Sequence, residues 1–183
     1  MQEYKRITPE FSLCGLNCLL CPRYNTEGTS RCPGCGGPEF NLKHPSCAVI
    51  RCSRENGNVE YCFACGKYPC ERFSRIDGDS KDSFITYRNV LADNDKARSD
   101  LKSYIRSLEK KKEYLEYFLM NHNDGRSKGF FCLAINLLAI DDLDKIIGIV
   151  KEKEKHERLE TDTVKGLFYE RASARGIDLV LRK

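Results

Sequence analysis

The chain has 183 residues, of which 40% are hydrophobic and 32% are charged, a composition typical of a globular protein with a core of limited size. Its longest apolar run, around residues 130–140, is too short to cross a bilayer, and residues 1–6 lack the apolar core of a secretory signal. We therefore expect a cytoplasmic protein with no membrane span.

The formal net charge is +4, and a basic balance is a feature of many nucleic-acid-binding proteins. That sum counts every cysteine as neutral, whereas a Zn²⁺ ion held by four thiolates carries a net charge of about −2. Two such sites would cancel the positive charge, so the charge gives nucleic-acid binding little support.

Cysteine is the most informative residue type, with eleven copies. In a reducing compartment such a set favours metal ligands or redox groups over a disulfide framework. Cys132 stands apart in an apolar run, and we expect it to behave as a small buried hydrophobe. The ten candidate metal ligands all precede residue 71: Cys14, Cys18, Cys21, Cys32, Cys35, Cys47, Cys52, Cys62, Cys65 and Cys70.

The first three of these cysteines have the C-x-x-x-C-x-x-C spacing with which radical enzymes hold an iron–sulfur cluster. Such an enzyme would need repeated strand and helix units to build its barrel, but further cysteines and then helical patterns follow. Radical chemistry is therefore not expected. A cluster without that chemistry stays an alternative to zinc, because thiolate ligands alone do not separate the two metals.

Two C-x-x-C segments followed by glycine, at residues 32–36 and 62–66, have the form of zinc knuckles, in which one tight turn supplies two thiolates. Interleaved pairing of the cysteines and a third site completed by His44 are both open. Grouping in chain order gives one site from Cys18, Cys21, Cys32 and Cys35, a second from Cys47, Cys52, Cys62 and Cys65, and leaves Cys14 and Cys70 over.

The composition changes near residues 75–82, from Cys, Gly and Pro to Leu, Ile, Lys and Glu with helical periodicity. We predict a cysteine-rich metal-binding module at 1–76 and a helical domain at 77–183. The predicted fold class is a small α+β protein: a zinc-knuckle or zinc-ribbon-like module with little regular structure, then a mainly α-helical domain with a short C-terminal strand. Helical patterns cover 84–91, 97–121, 130–139, 141–150 and 161–172, and 177–181 alternates like a strand.

Four segments carry a family resemblance: "CGLNCLLCPRY", "CPGCGG", "CAVIRCSRENGNVEYCFACGKYPCERF" and "NDGRSKGFFCLAINLLAIDDL". They resemble a family of short prokaryotic cysteine-rich proteins catalogued only as a domain of unknown function, of the DUF3795 type. The resemblance covers residues 12–75 well and extends to about residue 143. It implies zinc binding and no established activity. Because Cys14 and Cys70 match the family pattern, it also assigns both to the metal module.

These patterns favour a non-catalytic zinc protein with two or more cysteine-ligated Zn²⁺ sites, acting as a structural module that binds another protein. An enzyme is less favoured, because catalytic zinc usually has His or carboxylate ligands and the three histidines show no ligand spacing. One alternative is an iron–sulfur or thiol redox protein. The other is a zinc-ribbon nucleic-acid-binding protein, in which Tyr24, Phe63 and Tyr68 would stack on bases beside Arg23, Arg51 and Lys67.

Overall fold

The computed structural model describes residues 4–44, 47–74 and 81–183. Single-turn 3-10 helices form at Cys18–Leu20 and Cys62–Ala64. The α-helices in these ranges are α1 (Phe40–Lys43), α2 (Ala48–Glu55), α3 (Glu71–Ser74), α4 (Val90–Ser99), α5 (Leu101–His122), α6 (Lys128–Leu137), α7 (Ile140–Lys153) and α8 (Thr161–Ala174). Within the described ranges, no helix combines the length and the apolar character needed to span a membrane.

The predicted α+β class and its C-terminal strand are wrong, because the described residues are mostly helical and contain no strand. Segment 177–181 is irregular and pairs with no neighbouring strand among the described residues. The Arg88 guanidinium donates to the carbonyls of Asp178 and Val180. The Asp82 amide donates to the Arg182 carbonyl over 2.9 Å. The alternation that indicated a strand reflects the burial of Leu179 beside exposed Val180.

Helix α5 is the longest helix described, and it lies against α4, α6 and α7. It begins at a conventional cap, because the Asp100 carboxylate accepts a 2.9 Å hydrogen bond from the Ser103 amide. Phe118 of α5 stacks on Phe131 of α6 with ring centroids 5.5 Å apart and meets Phe168 of α8 edge-on at 5.0 Å. All three rings are fully buried, so they form the centre of the helical core.

The cysteine-rich segment shares this core. Phe11, Leu20 and Tyr61 belong to the same buried cluster as the helices, while a smaller cluster of Tyr4, Leu13, Phe40 and Ile50 lies within the cysteine-rich segment itself. The predicted boundary at residues 76 and 77 lies outside the described residues. The cysteine-rich segment therefore packs directly on the helices.

A buried polar cluster also joins the two parts. The Asn17 amide donates to the Asp93 carboxylate and to the Asn136 side-chain carbonyl, each over 2.9 Å. The Tyr104 hydroxyl donates to Asn17 over 2.7 Å, and the Lys111 ammonium donates to the Asn136 backbone carbonyl over 2.9 Å. We call these five residues the polar cluster.

Candidate metal centre

Four cysteines line one small cavity in the cysteine-rich segment. Its volume is about 30 Å³, and Val49, Tyr68 and Phe73 also line it. This is space for about one small ion or water molecule. Because these four cysteines follow the other six of the cysteine-rich segment along the chain, we call them the second cysteine group: Cys52, Cys62, Cys65 and Cys70.

Local structure explains how three of these thiols converge. Cys62 and Cys65 are brought together by a 3-10 turn in which the Cys65 amide donates to the Cys62 carbonyl over 3.0 Å. Cys70 immediately precedes α3, and its carbonyl accepts from the Phe73 amide over 2.8 Å. The Tyr68 and Phe73 rings meet edge-on at 4.9 Å beside the cavity. Helix α2 supplies the fourth thiol, Cys52.

The other six cysteines, which we call the first cysteine group, are linked by electrostatic interactions: Cys14, Cys18, Cys21, Cys32, Cys35 and Cys47. Burial is the main cause that raises the pKa of Cys18, and the nearby Cys35 and Cys14 thiols raise it further. The pKa of Cys21 is also raised, first by burial and then by Cys32. Burial raises the pKa of Cys35 to about 11, against the opposing effect of Arg6.

Cys14 belongs to the first cysteine group and also interacts with the second. After burial, its thiol is the next largest cause that raises the pKa of Cys62, and the charge of Cys47 in turn raises the pKa of Cys14. The Cys14 sulfur is 3.2 Å from the Ser12 hydroxyl, which accepts a 2.7 Å hydrogen bond from the Leu16 amide. Cys14, which grouping in chain order left without a site, therefore interacts with thiols of both cysteine groups.

The observed grouping differs from chain order at one clear point, because Cys70 rather than Cys47 joins Cys52, Cys62 and Cys65 around the cavity. All eleven thiols, which lie in the described ranges, are free of disulfides. In those same ranges, no three His, Cys, Asp or Glu side chains are already arranged as a set of metal ligands. The cysteines are therefore gathered donors rather than a formed coordination shell.

Cys132, His44 and the aromatic residues considered for base stacking pack against other side chains of the protein. Cys132 is buried in α6, and burial raises its pKa to about 12. His44 stacks on the Phe40 ring with centroids 4.5 Å apart. Phe63 stacks on Tyr61 at 4.9 Å, and Tyr68 lines the second cysteine group. Tyr24 carries the Arg31 guanidinium over its ring at 4.9 Å, so all three aromatics considered for base stacking already contact other side chains of the chain.

Arg6 is a site residue that sequence reasoning missed. Its guanidinium, with a side chain only 1% exposed, pairs with the Glu60 carboxylate at 3.2 Å. It also donates to the carbonyls of Phe11 over 2.7 Å and Glu60 over 2.8 Å. Arg6 thus fastens the N-terminal segment to the loop that leads into Cys62, and it places a positive charge near the Cys35 thiol. No spacing in the sequence signals this role.

Residues 10–75 match the family model described as "Protein of unknown function (DUF3795)", which confirms the resemblance. The match contains all ten clustered cysteines and ends before α4, short of the extension toward residue 143. No curated protein and no solved structure shows a significant match to the chain.

Proposed function

We propose that the cysteine-rich segment is a zinc-binding structural module, and that the protein binds another protein rather than catalysing a reaction. The observation that carries the proposal is the second cysteine group, in which four thiols line one cavity of about 30 Å³. Four sulfur ligands are the usual donor set of a closed structural zinc site, which leaves no position for substrate. This set fits Zn²⁺ in both number and chemistry.

The surroundings of the second cysteine group also suit thiolates. The Asn56 side-chain amide lies 3.7 Å from the Cys52 sulfur and can donate to it, as groups around metal-bound thiolates commonly do. Burial raises the pKa of the Cys62 thiol, and binding of zinc to the thiolates would release protons.

Metal analysis of protein purified without air tests the proposal. We expect about two equivalents of zinc, little iron and no visible absorbance band. In Cys70→Ser, the Cys62 and Cys65 thiols should become reactive toward iodoacetamide, because their site has lost a ligand. In the matched variant Cys47→Ser they should stay protected.

Three outcomes would contradict this account. Labelling of Cys62 and Cys65 in Cys47→Ser but not in Cys70→Ser would show that Cys47 is the fourth ligand, as in the grouping by chain order. Visible absorbance that dithionite bleaches would identify an iron–sulfur protein instead. A cysteine-rich segment that is folded without any metal would contradict a structural role for zinc or iron.

A groove beside the metal module supports a protein partner. It has a volume of about 1020 Å³ and lies between residues 24–31 and helix α5. Of its two basic side chains, Lys112 pairs with Glu116 at 2.8 Å and Arg31 stacks over the Tyr24 ring at 4.9 Å. The acidic side chains that line the groove are Glu10, Glu27, Glu109, Glu113 and Glu116.

Apolar side chains accompany these acids, including Ile105, Leu119 and Met120, of which Met120 is 83% exposed. An apolar surface with an excess of negative charge favours a basic amphipathic protein segment and repels nucleic acid. Residues 105–120 of α5 run for about 24 Å, the length of a helix of about 16 residues. The proposed partner is therefore a basic amphipathic helix.

A labelled 16-residue peptide with Lys and Leu at helical spacing tests this surface by fluorescence anisotropy. We expect the double variant Glu109→Lys, Glu113→Lys to weaken binding at least tenfold, because it reverses the charge along one wall of the groove. Glu170→Lys on α8, which changes an exposed acid outside the groove, should bind like the unmodified protein. Equal affinities for all three proteins would contradict the proposal.

A further inference from the structure

A second cavity, which we call the apolar cavity, has a volume of about 460 Å³, within the range of small-molecule sites. It is enclosed by Leu20 and Pro22 of the cysteine-rich segment, residues 83–86, α6 and the C-terminal segment 179–183. The aliphatic and aromatic residues that line it are Leu20, Phe84, Ile85, Phe130, Leu133, Leu179, Val180 and Leu181.

The polar groups inside the apolar cavity already have partners. The Thr86 hydroxyl accepts hydrogen bonds from the Arg88 amide and guanidinium over 3.2 and 3.1 Å. The Asn136 side-chain carbonyl accepts from Asn17 over 2.9 Å. The interior therefore offers a ligand mainly apolar surface, and apolar ligands bind such cavities more readily than water does.

The charged groups at the apolar cavity are basic. Lys183 lines it, and the Arg23 guanidinium lies 4.8 Å from the centre of the Phe84 ring, which also lines it. Among the described residues that line the cavity, none is an Asp or a Glu. Two apolar residues at the mouth, Phe84 and Val180, are 59% and 58% exposed, so apolar and basic side chains lie together at the mouth.

From the apolar walls and the basic mouth, we propose that this cavity binds a fatty carboxylate of medium chain length. The chain lies among the leucines and Phe130, and the carboxylate meets Lys183 and Arg23. The site goes beyond the proposed metal and protein binding, and only Leu20 and Pro22 of its lining come from the cysteine-rich segment. Metal analysis of the same preparations shows whether the zinc proposal holds, independently of whether decanoate binds in the apolar cavity.

Gly129 allows a sharp test. It is an exposed residue of α6 that lines the cavity, and a Cβ atom placed on it would meet nothing within 4 Å. Gly129→Leu thus adds an apolar side chain beside the cavity from a Cβ position that is free of contacts, and replacement of glycine within a helix favours folding. Gly148→Leu is the matched control, because Gly148 is exposed and equally open in α7 but lies outside the cavity.

Isothermal titration of the full metal-loaded chain with sodium decanoate provides the measurement. We expect saturable binding of one decanoate per chain, at least tenfold weaker in Gly129→Leu and unchanged in Gly148→Leu. The double variant Arg23→Glu, Lys183→Glu should weaken decanoate at least fivefold and leave decanol binding unchanged. Circular dichroism confirms that each variant is folded.

Three outcomes would overturn the inference. One is the absence of saturable binding to the unmodified chain below the micelle concentration. Another is an equal loss of decanoate affinity in Gly129→Leu and Gly148→Leu, or an equal loss of affinity for decanoate and decanol in the double charge variant. The third is a dimer that Gly129→Leu dissociates, since the exposed Phe84 and Val180 would then be covered by a second copy of the chain.

Discussion

Lys111 is an unusual residue in this structure, because a half-buried basic side chain belongs to the polar cluster. Its ammonium donates to the Asn136 carbonyl over 2.9 Å, and burial lowers its pKa from 10.5 to about 8, with Asp93 opposing that shift. The same burial raises the pKa of Asp93.

The lowered pKa of Lys111 predicts a dependence of stability on pH. Between pH 8 and 10.5 the unfolded chain holds a proton that the folded chain has released, so this residue makes the free energy of unfolding rise with pH. The buried thiols act in the opposite direction, so the test compares the protein with Lys111→Met, which retains them. Urea denaturation should show the unmodified protein gaining roughly 1–3 kcal/mol relative to this variant between pH 7 and about 10.

Lys102→Met is the matched control, because Lys102 is exposed on the same helix. Its stability relative to the unmodified protein should not change over this pH range. If Lys111→Met and Lys102→Met follow the same pH profile, the pKa of Lys111 is not lowered by burial.

Individual residues differ in how well the sequence predicts them. The closeness of Cys62 and Cys65 follows from one 3-10 turn, which their spacing predicts, whereas their binding to one metal ion stays a prediction. The place of Cys70 depends on how α2 and the loop before α3 fold around one cavity, which spacing does not encode. Arg6 was missed because its partner Glu60 lies 54 residues away. That all ten clustered cysteines bind metal stays a prediction.

At the scale of elements, periodicity located α6, α7, α8 and most of α5, with errors at their ends. The short helix predicted at 84–91 is wrong, because residues 84–89 are not helical and α4 instead runs over Val90–Ser99. Helix α7 begins at Ile140, one residue before the predicted pattern at 141–150, and Ala139 before it provides no side-chain cap. Asp142 in its first turn pairs with Arg175 through two hydrogen bonds of 3.0 and 3.2 Å. The C-terminal strand failed for a similar reason, because the partners of segment 177–181 lie about 90 residues earlier in the chain. Local pattern cannot anticipate such distant partners.

For the whole molecule, the shared core predicts that metal and helices are coupled. Leu20 and Phe11 are fully buried in the same cluster as α5 and α6. Loss of zinc should therefore expose part of the helical core as well as the cysteine-rich segment. We expect EDTA to lower the melting temperature of a single transition and to reduce hydrogen-exchange protection in the middle of α5.

Two controls accompany this measurement. Restoring zinc should restore both the melting temperature and the protection, which separates metal loss from irreversible damage. Two separate transitions, with the helical one unchanged by EDTA, would show instead that the two parts are independent.

The polar cluster has a consequence for the order of folding. Asn17 and Asn136 meet across 119 residues of sequence, whereas the contacts within α5 and between α5 and α6 are much closer along the chain. Contacts between distant residues form late, because a long loop must close before they can stabilise anything. We therefore expect the helices to assemble first, and the N-terminal segment, although it is synthesised first, to wait with its thiols exposed until its docking surface exists.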